Sequence, residues 1–205
     1  MYRRLTNEEV RRILREKNPI FKGCYIYSAN FNGVDFSNAT IENCLFAHCS
    51  FDYATMNFIQ ITNVRFVNCK FFSVQANETE FINCTFFLCS ILNQSSFTNS
   101  FFGACTYEEC SLESSNFSVS NFLSCVFLSA GIYACTFDKT SFHSCICMPK
   151  THFYNSKKLS TAQTTDCNFL FKENKLNLKL TEDVCIDATA ALSMEQYSSQ
   201  KDDYF

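Results

Sequence analysis

Residues 64–88 read VRFVN CKFFS VQANE TEFIN CTFFL, a stretch in which one pattern returns every five positions. The first residue of each block is small or β-branched, the third is apolar, and the others are mostly polar. Counted outward from this stretch, the third position stays apolar from Phe21 to Cys147, with one extra residue between Leu92 and Ser96. Residues 21–147 therefore contain 26 repeats.

A period of five matches neither an α-helix, whose side chains return every 3.6 residues, nor a simple strand, whose side chains alternate. It does suit a chain that turns a corner after each repeat and places two residues of every five inward, two positions apart. The large residue then fills the centre, and the small residue fits beside it. Because the chain has only 4 Gly and 2 Pro, the corners are formed in another way or repeat so regularly that they need no Gly.

This unit resembles the repeat of the pentapeptide-repeat family, which has the order small, polar, large, polar, polar. Residues 29–33 (ANFNG) and 115–119 (SNFSV) match that order closely. The resemblance implies an all-β fold, a right-handed quadrilateral β-helix with four repeats per coil and parallel coils. The 26 repeats would then form about 6.5 coils in a stack about 31 Å long, at about 4.8 Å per coil.

Residues 1–20 are predicted to cap the first coil. Thr6 and Glu9 match a capping box that opens a helix over about residues 7–17, and Leu5 and Val10 are placed for a hydrophobic staple. The other side of this helix is basic, and we interpret it as a solvated face rather than as a site for an anionic partner. The basic residues are Arg3, Arg4, Arg11, Arg12, Arg15 and Lys17.

Residues 148–205 form the third part of the chain, after the clean repeat of residues 21–147. The sequence predicts a loop over residues 148–161 and two further repeats, at 162–164 and 167–169, that would make a last partial coil. Leu176, Leu178 and Leu180 then alternate as in a strand, residues 187–197 have a weak helical pattern, and the last residues are expected to be disordered. This part could be a cap, a dimerisation element or a linker.

Eleven of the 14 cysteines occupy the small position of the repeat. Four repeats per coil align most of them in two ladders, which are Cys24, Cys44, Cys84, Cys105, Cys125 and Cys145, and Cys49, Cys69, Cys89 and Cys110. We interpret them as buried small residues, because thiols stacked at one spacing do not make a tetrahedral metal site and disulfides between coils demand specific torsions. His48, His143 and His152 fall outside the inward positions, so no metal or cofactor is expected.

The composition excludes several classes of function. A net charge of −3 and a pI of about 5.6 provide no basic footprint for direct nucleic-acid binding. No apolar run approaches the roughly 18 residues of a membrane span, and the charged N-terminus has no apolar core of a cleaved signal. Fourteen cysteines without a signal indicate reduced thiols in a cytoplasm. No nucleophile and base stand together, so the chain is not expected to be an enzyme.

A binding surface is predicted from the residue that follows each centre and points outward. On the fourth face this residue is always polar, whereas the other three faces carry apolar residues near the middle of the stack. Clustered exposed apolar side chains indicate an interaction site, and the candidates are Phe72, Ile82, Phe87, Leu88 and Leu92. Their occupant could be a protein partner, a second copy in a homodimer or a neighbouring domain; coverage by the C-terminal segment is the alternative.

Three functions stay open at this point. The Asn-, Cys- and Phe-rich repeats resemble those of bacterial effectors that act inside a host cell, which implies a protein-binding module secreted without a cleaved signal. The family also includes quinolone-resistance and microcin-immunity proteins, which mimic DNA and bind topoisomerases such as gyrase. Such a mimic needs a continuous acidic stripe, and the nine acidic and four basic residues of 20–147 are predicted to scatter. The third function is a housekeeping scaffold.

Overall fold

The computed structural model describes residues 2–148, 150–158, 161–171 and 174–176. It is a four-sided β-helix in which the chain turns a corner after each repeat and each coil pairs in parallel with the coils before and after it. The predicted fold class is confirmed. The first face forms an 8-stranded sheet, so the solenoid extends beyond the coils expected from residues 21–147 alone.

The faces are numbered here in chain order from Phe21. The first face consists of Ile20–Lys22, Thr40–Glu42, Gln60–Thr62, Glu80–Ile82, Phe101–Gly103, Asn121–Leu123, Ser141–His143 and Gln163–Thr165. The second face consists of Arg3–Arg4, Cys24–Tyr27, Leu45–Ala47, Arg65–Val67, Thr85–Phe87, Thr106–Glu108, Val126–Leu128, Ile146–Cys147, Asn168–Phe171 and Asn174–Leu176. The third face consists of Lys70–Phe72, Ser90–Leu92, Ser111–Glu113, Gly131–Tyr133 and His152–Tyr154. Single β-bridges join the coils of the fourth face, from Asp35 to Lys157.

The core is a set of side-chain columns that run along the solenoid, one for each face. On the second face the rings of Phe66, Phe86, Tyr107 and Phe127 stack nearly parallel, with successive centroids 5.1, 5.0 and 5.0 Å apart. Burying each such ring stabilises the fold by about 2–3 kcal/mol, and each aromatic pair adds about 0.5–1.5 kcal/mol. The columns bind each coil to the next through the interior as well as through backbone pairing.

The corners explain why so few glycines suffice. At nearly every corner the residue two positions after the centre has a left-handed backbone, with Asn38 as an exception, and at most of these corners it is not Gly; examples are His48 (φ 56°), Phe58 (φ 60°) and Val119 (φ 60°). A left-handed L-residue costs about 1–2 kcal/mol. The conformation is held by pairing between coils, as where the His48 N–H donates to the Val67 carbonyl at 2.9 Å.

The predicted N-terminal cap is present, with a shorter helix than expected. The helix covers Asn7–Ile13, and the capping box between Thr6 and Glu9 is complete. The Thr6 N–H bonded to the Glu9 carboxylate lowers the pKa of that carboxyl. The prediction of a helix to residue 17 was wrong, because Pro19 favours an extended residue before it and the chain must enter the first face at Ile20.

The cap also protects the open end of the core. Leu5 and Val10 are both buried in the core cluster, and Ile13 and Leu14 pack against it. Arg3–Arg4 pairs with the start of the second face as a short edge strand. A short, charged edge of this kind discourages pairing with another chain.

The extra residue of the repeat lies at one corner. Ile91 pairs with Phe71 in the coil before it and with Leu112 in the coil after it, and the step to Leu112 is longer than the step from Phe71 by a single position. Asn93 and Gln94 absorb the additional residue by taking two successive left-handed conformations, with φ of 49° and 63°. The insertion therefore lengthens a corner and leaves the inward positions of the following coils in register.

The prediction of a loop over residues 148–161 was wrong in part. His152–Tyr154 is a strand that pairs with Gly131–Tyr133, and Phe153 lies in the core. The step from Ile132 to its partner Phe153 is longer by a single position than the regular step from Phe127 to its partner Cys147. One extra residue before Phe153 thus shifts the five-residue period, and the sequence pattern did not reveal this further repeat.

The predicted last partial coil is confirmed, because Gln163–Thr165 and Asn168–Phe171 pair with the coil before them. The alternation at Leu176 fits the strand Asn174–Leu176. Leu178, Leu180, the helical pattern at 187–197 and the expected disorder lie outside the described residues.

Candidate interaction surface

The structure distributes the five predicted binding residues over three faces. Phe72 and Leu92 are direct neighbours on adjacent strands of the third face. The Tyr53 ring, on the corner beside them, contacts the Phe72 ring edge-on at a centroid distance of 5.3 Å. These three side chains therefore form one small cluster, in which Tyr53 was not among the predicted residues.

The other predicted residues lie in a single coil but do not share one surface. Phe87 points out from the second face, and Leu88 follows it on the exposed corner toward the third face. Ile82 points out from the first face, between Thr62 and Gly103 of the adjacent strands. A flat partner that covers Phe87 and Leu88 would leave Ile82 uncovered.

The second face is the most apolar outer surface of the solenoid. Its strands direct two columns of residues outward, one before and one after each centre. Most members of both columns are apolar, and all of these except the buried Ala47 are half-buried or exposed. These apolar residues are Tyr25, Tyr27, Leu45, Ala47, Val67, Phe87, Val126, Leu128, Ile146 and Met148. The predicted binding residues came from the column after the centre and the corner beyond it, and the column before the centre supplies Tyr25, Leu45, Val126 and Ile146.

The fourth face, on the opposite side of the same coils, is polar at the corresponding positions. Along successive coils its outward residues are Asp35, Ser37, Thr55, Asn57, Gln75, Asn77, Ser96, Thr98, Asn116, Ser118, Thr136 and Asp138. The two faces have the same backbone and the same inward packing. The apolar character of the second face is therefore not a requirement of the fold.

A polar band divides the second face into two parts. Glu108 stands between Phe87 and Leu128 in register, and Thr106 and the corner residue Glu109 belong to the same coil. The proximal patch, before the band, comprises Tyr25, Tyr27, Leu45, Ala47, Val67 and Phe87. The distal patch, after it, comprises Val126, Leu128, Ile146 and Met148.

Aromatic groups order the start of the proximal patch. The Tyr25 and Tyr27 rings meet edge-on at 6.3 Å, and the Tyr27 ring contacts His48 at 5.2 Å. Asn68 Nδ2 lies 3.0 Å from His48 Nδ1 and holds that ring in place. The exposed guanidinium of Arg65 provides a positive charge within the patch. Aromatic residues and Arg are the side chains that most often anchor protein interfaces.

The cysteine ladders lie inside the solenoid, as predicted. Cys125 Sγ donates to the Phe102 carbonyl at 3.1 Å, Cys105 Sγ to the Phe81 carbonyl at 3.2 Å and Cys145 Sγ to the Phe122 carbonyl at 3.3 Å. Ser and Thr at equivalent positions donate in the same way, as Ser100 Oγ does to the Ala76 carbonyl at 2.8 Å. The small position therefore holds a weak hydrogen-bond donor as well as a compact side chain.

Burial makes two of the thiols poor nucleophiles. Cys44 and Cys135 are completely buried free thiols, and burial raises the pKa of each to about 12. A thiol with a raised pKa is a poor nucleophile at neutral pH, because the thiolate is the reactive form. Among the described residues, no three His, Cys, Asp or Glu side chains are grouped so that they could hold a metal ion.

The repeat unit itself matches a known family. The model of pentapeptide repeats matches residues 29–68 in eight copies, and the parallel coils continue the same unit on both sides of that range. Residues 29–68 are pentapeptide repeats. The family match covers early coils of the solenoid, including Leu45, Ala47 and Val67 of the proximal patch.

Several solved structures of pentapeptide-repeat proteins are similar to this chain. Rfr23 from the cyanobacterium Cyanothece 51142 is 9% identical (TM-score 0.37, 80% of this chain and 94% of that one). HetL from Nostoc sp. strain PCC 7120, involved in heterocyst differentiation regulation, is 10% identical (TM-score 0.34, 84% and 100%). Full-length QnrB1, a plasmid-mediated fluoroquinolone resistance protein, is 13% identical (TM-score 0.32, 88% and 99%).

Similarity at this level shows neither a partner nor an activity for this chain. The comparison with curated protein sequences gives no match. Within the described part of the chain, no helix has the length and apolar character needed to traverse a bilayer.

Proposed function

We propose that this chain is a non-enzymatic protein-binding module whose partner docks on the proximal patch of the second face. The observation that carries the proposal is the contrast between opposite faces of one regular scaffold. The second face presents apolar and aromatic side chains where the fourth face presents Asn, Ser, Thr and Asp. An apolar surface that the fold does not need is a mark of an interaction site.

The size and side chains of the proximal patch indicate what the partner must present to it. Its four coils extend about 19 Å at about 4.8 Å per coil, and a strip of one face is smaller than the roughly 800 Å² that each side of a stable interface buries. The partner therefore extends over the neighbouring corner, where Leu88 continues the apolar surface from Phe87. It presents apolar groups to Tyr27 and Phe87 and an acidic group to Arg65.

The setting we propose is a bacterial effector that acts in the reducing cytoplasm of a host cell. Its support is the Asn-, Cys- and Phe-rich repeat composition and the buried, free thiols of the ladders. A housekeeping scaffold in the producing cell is the alternative setting. The two differ in where the partner is found, so one capture experiment separates them.

A DNA mimic that binds gyrase is less compatible with the charge distribution. Asp52 and Glu113 point out from the third face, Glu80 from the first and Asp138 from the fourth. Acidic residues spread over several faces do not form the continuous stripe that a DNA mimic requires. Protection of gyrase from a quinolone in a supercoiling assay would favour this function over the one proposed.

The test is affinity capture from host-cell and bacterial lysates with the full chain and two charge variants. Phe87→Asp places a charge in the proximal patch. Ile82→Asp is the matched control, because Ile82 has the same position in the repeat, the same coil and the same half-buried side chain on another face. We expect Phe87→Asp to lose the captured protein and Ile82→Asp to keep it.

Equal capture by both variants would refute the proximal patch as the docking site. Equal loss by both would mean that the charge acts through the fold, and melting temperatures measured alongside identify that case. Size-exclusion chromatography with light scattering tests the remaining occupant, a second copy of the chain in a homodimer.

A further inference from the structure

The end of the solenoid that the N-terminal helix caps is strongly basic. Residues 2–22 contain seven Lys and Arg and three Glu, a net charge of +4, whereas the rest of the chain has ten Lys and Arg and seventeen Asp and Glu, a net charge of −7. The capped end therefore has the opposite charge to the rest of the chain. Its basic residues are Arg3, Arg4, Arg11, Arg12, Arg15, Lys17 and Lys22.

Two of these seven cations are paired with carboxylates. The Arg3 guanidinium pairs with Glu9, and Lys22 Nζ lies 2.7 Å from a carboxylate oxygen of Glu42. The other five are exposed, and their side chains make no ion pair with any residue that the structure describes. We call these five residues the basic tip: Arg4, Arg11, Arg12, Arg15 and Lys17.

The fold accounts for only part of the basic tip. Arg11 and Arg12 lie in the last turn of the helix, where positive charge is favourable to the helix dipole. Arg15 and Lys17 follow the helix and Arg4 lies on the edge strand, so the stability of the helix does not explain them. The sequence alone favoured a plain solvated face here. Exposed, unpaired charge of one sign that the fold does not need indicates instead a partner of opposite charge.

Two exposed apolar side chains accompany the basic tip and indicate which anionic partner it fits. Tyr2 precedes the edge strand and is 42% exposed, and Ile20 begins the first strand of the first face and is 54% exposed. A membrane surface suits this combination, because anionic headgroups attract the cations while Tyr and Ile enter the interface. A nucleic acid would supply phosphates but leave Ile20 in water. We propose that the basic tip, with Tyr2 and Ile20, docks on a bilayer that contains anionic phospholipid.

The expected binding is moderate and depends on salt. Near an anionic bilayer each Lys or Arg increases partitioning about fivefold. Glu8 and Glu16 are exposed at the same end and each oppose one cation, so the remaining three charges predict about a hundredfold preference for anionic over neutral vesicles. About 1 M salt should remove most of this preference, because it shortens the reach of the charges to about 3 Å. The inference does not rest on the proposed function, since it does not involve the proximal patch.

Co-sedimentation of the full chain with vesicles at about 0.1 M salt tests the proposal. The vesicles are phosphatidylcholine with and without about 30% phosphatidylserine. The triple variant Arg11→Gln/Arg12→Gln/Arg15→Gln should bind the anionic vesicles about a hundredfold more weakly. The double variant Arg15→Gln/Lys17→Gln changes only residues that follow the helix, so it keeps the cap intact if the triple variant does not fold. We expect it to bind about 25-fold more weakly.

The matched control is Lys70→Gln/Lys139→Gln/Lys157→Gln, which removes three exposed charges elsewhere on the solenoid. It should bind as the unaltered chain does, because charges more than about 10 Å from the membrane are largely screened. Equal binding to neutral and anionic vesicles, no binding to either, or equal loss in the control and the triple variant would overturn the proposal. Tighter binding to duplex DNA or to polyglutamate than to anionic vesicles would also overturn it and assign the basic tip to a nucleic acid or an acidic protein.

Discussion

Tyr107 provides a sharp test of the packing, because it is a tyrosine in a column of phenylalanines. Its ring stacks between Phe86 and Phe127 at 5.0 Å on each side. Its hydroxyl is buried and has no hydrogen-bond partner among the residues that the structure describes. Burial raises the pKa of Tyr107 well above its ordinary value. Tyr107→Phe keeps both ring contacts and removes only this hydroxyl.

The expected effect is a gain in stability. An unpaired buried polar group costs about 1–3 kcal/mol, so Tyr107→Phe should raise the free energy of unfolding by about 1–2 kcal/mol. The melting temperature of a chain this long should rise by about 2–4 °C per kcal/mol. Urea unfolding followed by circular dichroism measures the change as a shift in midpoint at constant slope.

The matched control is Phe127→Tyr, which adds a buried hydroxyl one coil further along the same column. It should destabilise the fold by a similar amount. If Tyr107→Phe instead lowered the free energy of unfolding by about 1 kcal/mol, the hydroxyl would have a hydrogen-bond partner, and the account of this column would be wrong.

Three further predictions follow from the thiols and the corners. Because burial raises the pKa of Cys44 and Cys135 from 9.0 to about 12, the stability that they contribute is complete below pH 9 and is lost between pH 9 and about pH 12. Each thiol lowers the free energy of unfolding by up to about 1.4 kcal/mol per pH unit in this range. Urea unfolding measured at several pH values should therefore show a smaller fall in stability with pH for Cys44→Ala. Val119→Gly should stabilise the fold by up to about 1 kcal/mol, because it removes the strain of a valine with a left-handed backbone. If thermal unfolding showed Val119→Gly to be no more stable than Val119→Ala, this strain would be contradicted. Iodoacetamide should modify the half-buried Cys167 before Cys125 in the native protein, and peptide mass mapping that found equal rates would contradict the buried ladders.

The repeat could be predicted from the sequence because the scaffold constrains the inward positions strongly. A residue such as Cys84 or Phe86 must fit a narrow column shared with the coils on either side, so its size indicates its position in the repeat. The single insertion was also visible, since the period resumes unchanged at Phe97. Thr6 and Glu9 identified the cap because a capping box has a fixed spacing.

The end of the repeat was harder to predict, for a physical reason. An extra residue at a corner costs little, since Asn93 and Gln94 absorb one by taking left-handed conformations in succession. The extra residue before Phe153 conceals a strand in the same way, because a search at constant period loses the register there. The end of the helix was predicted too late in the chain, because Pro19 and the path of the chain into the first face determine where the helix ends.

The binding surface was predicted only in part, because outward side chains do not affect the fold. Phe87 and Leu88 fall at or beside the proximal patch, while Ile82 and Phe72 lie on other faces. Each face has two outward columns, and inspection of one column missed Tyr25 and the other residues that precede the centres. The second face is distinguished as the most apolar only when both outward columns of all four faces are compared.

Radical footprinting of the full chain, free and bound to the captured partner, tests the central claim most directly. It reports the solvent access of individual side chains on every face in one experiment. The account predicts that Tyr27 and Phe87 lose reactivity on binding, while Phe58, which is 69% exposed on a corner of the fourth face, keeps it. Protection of Phe58 with unchanged reactivity at Tyr27 and Phe87 would contradict the account.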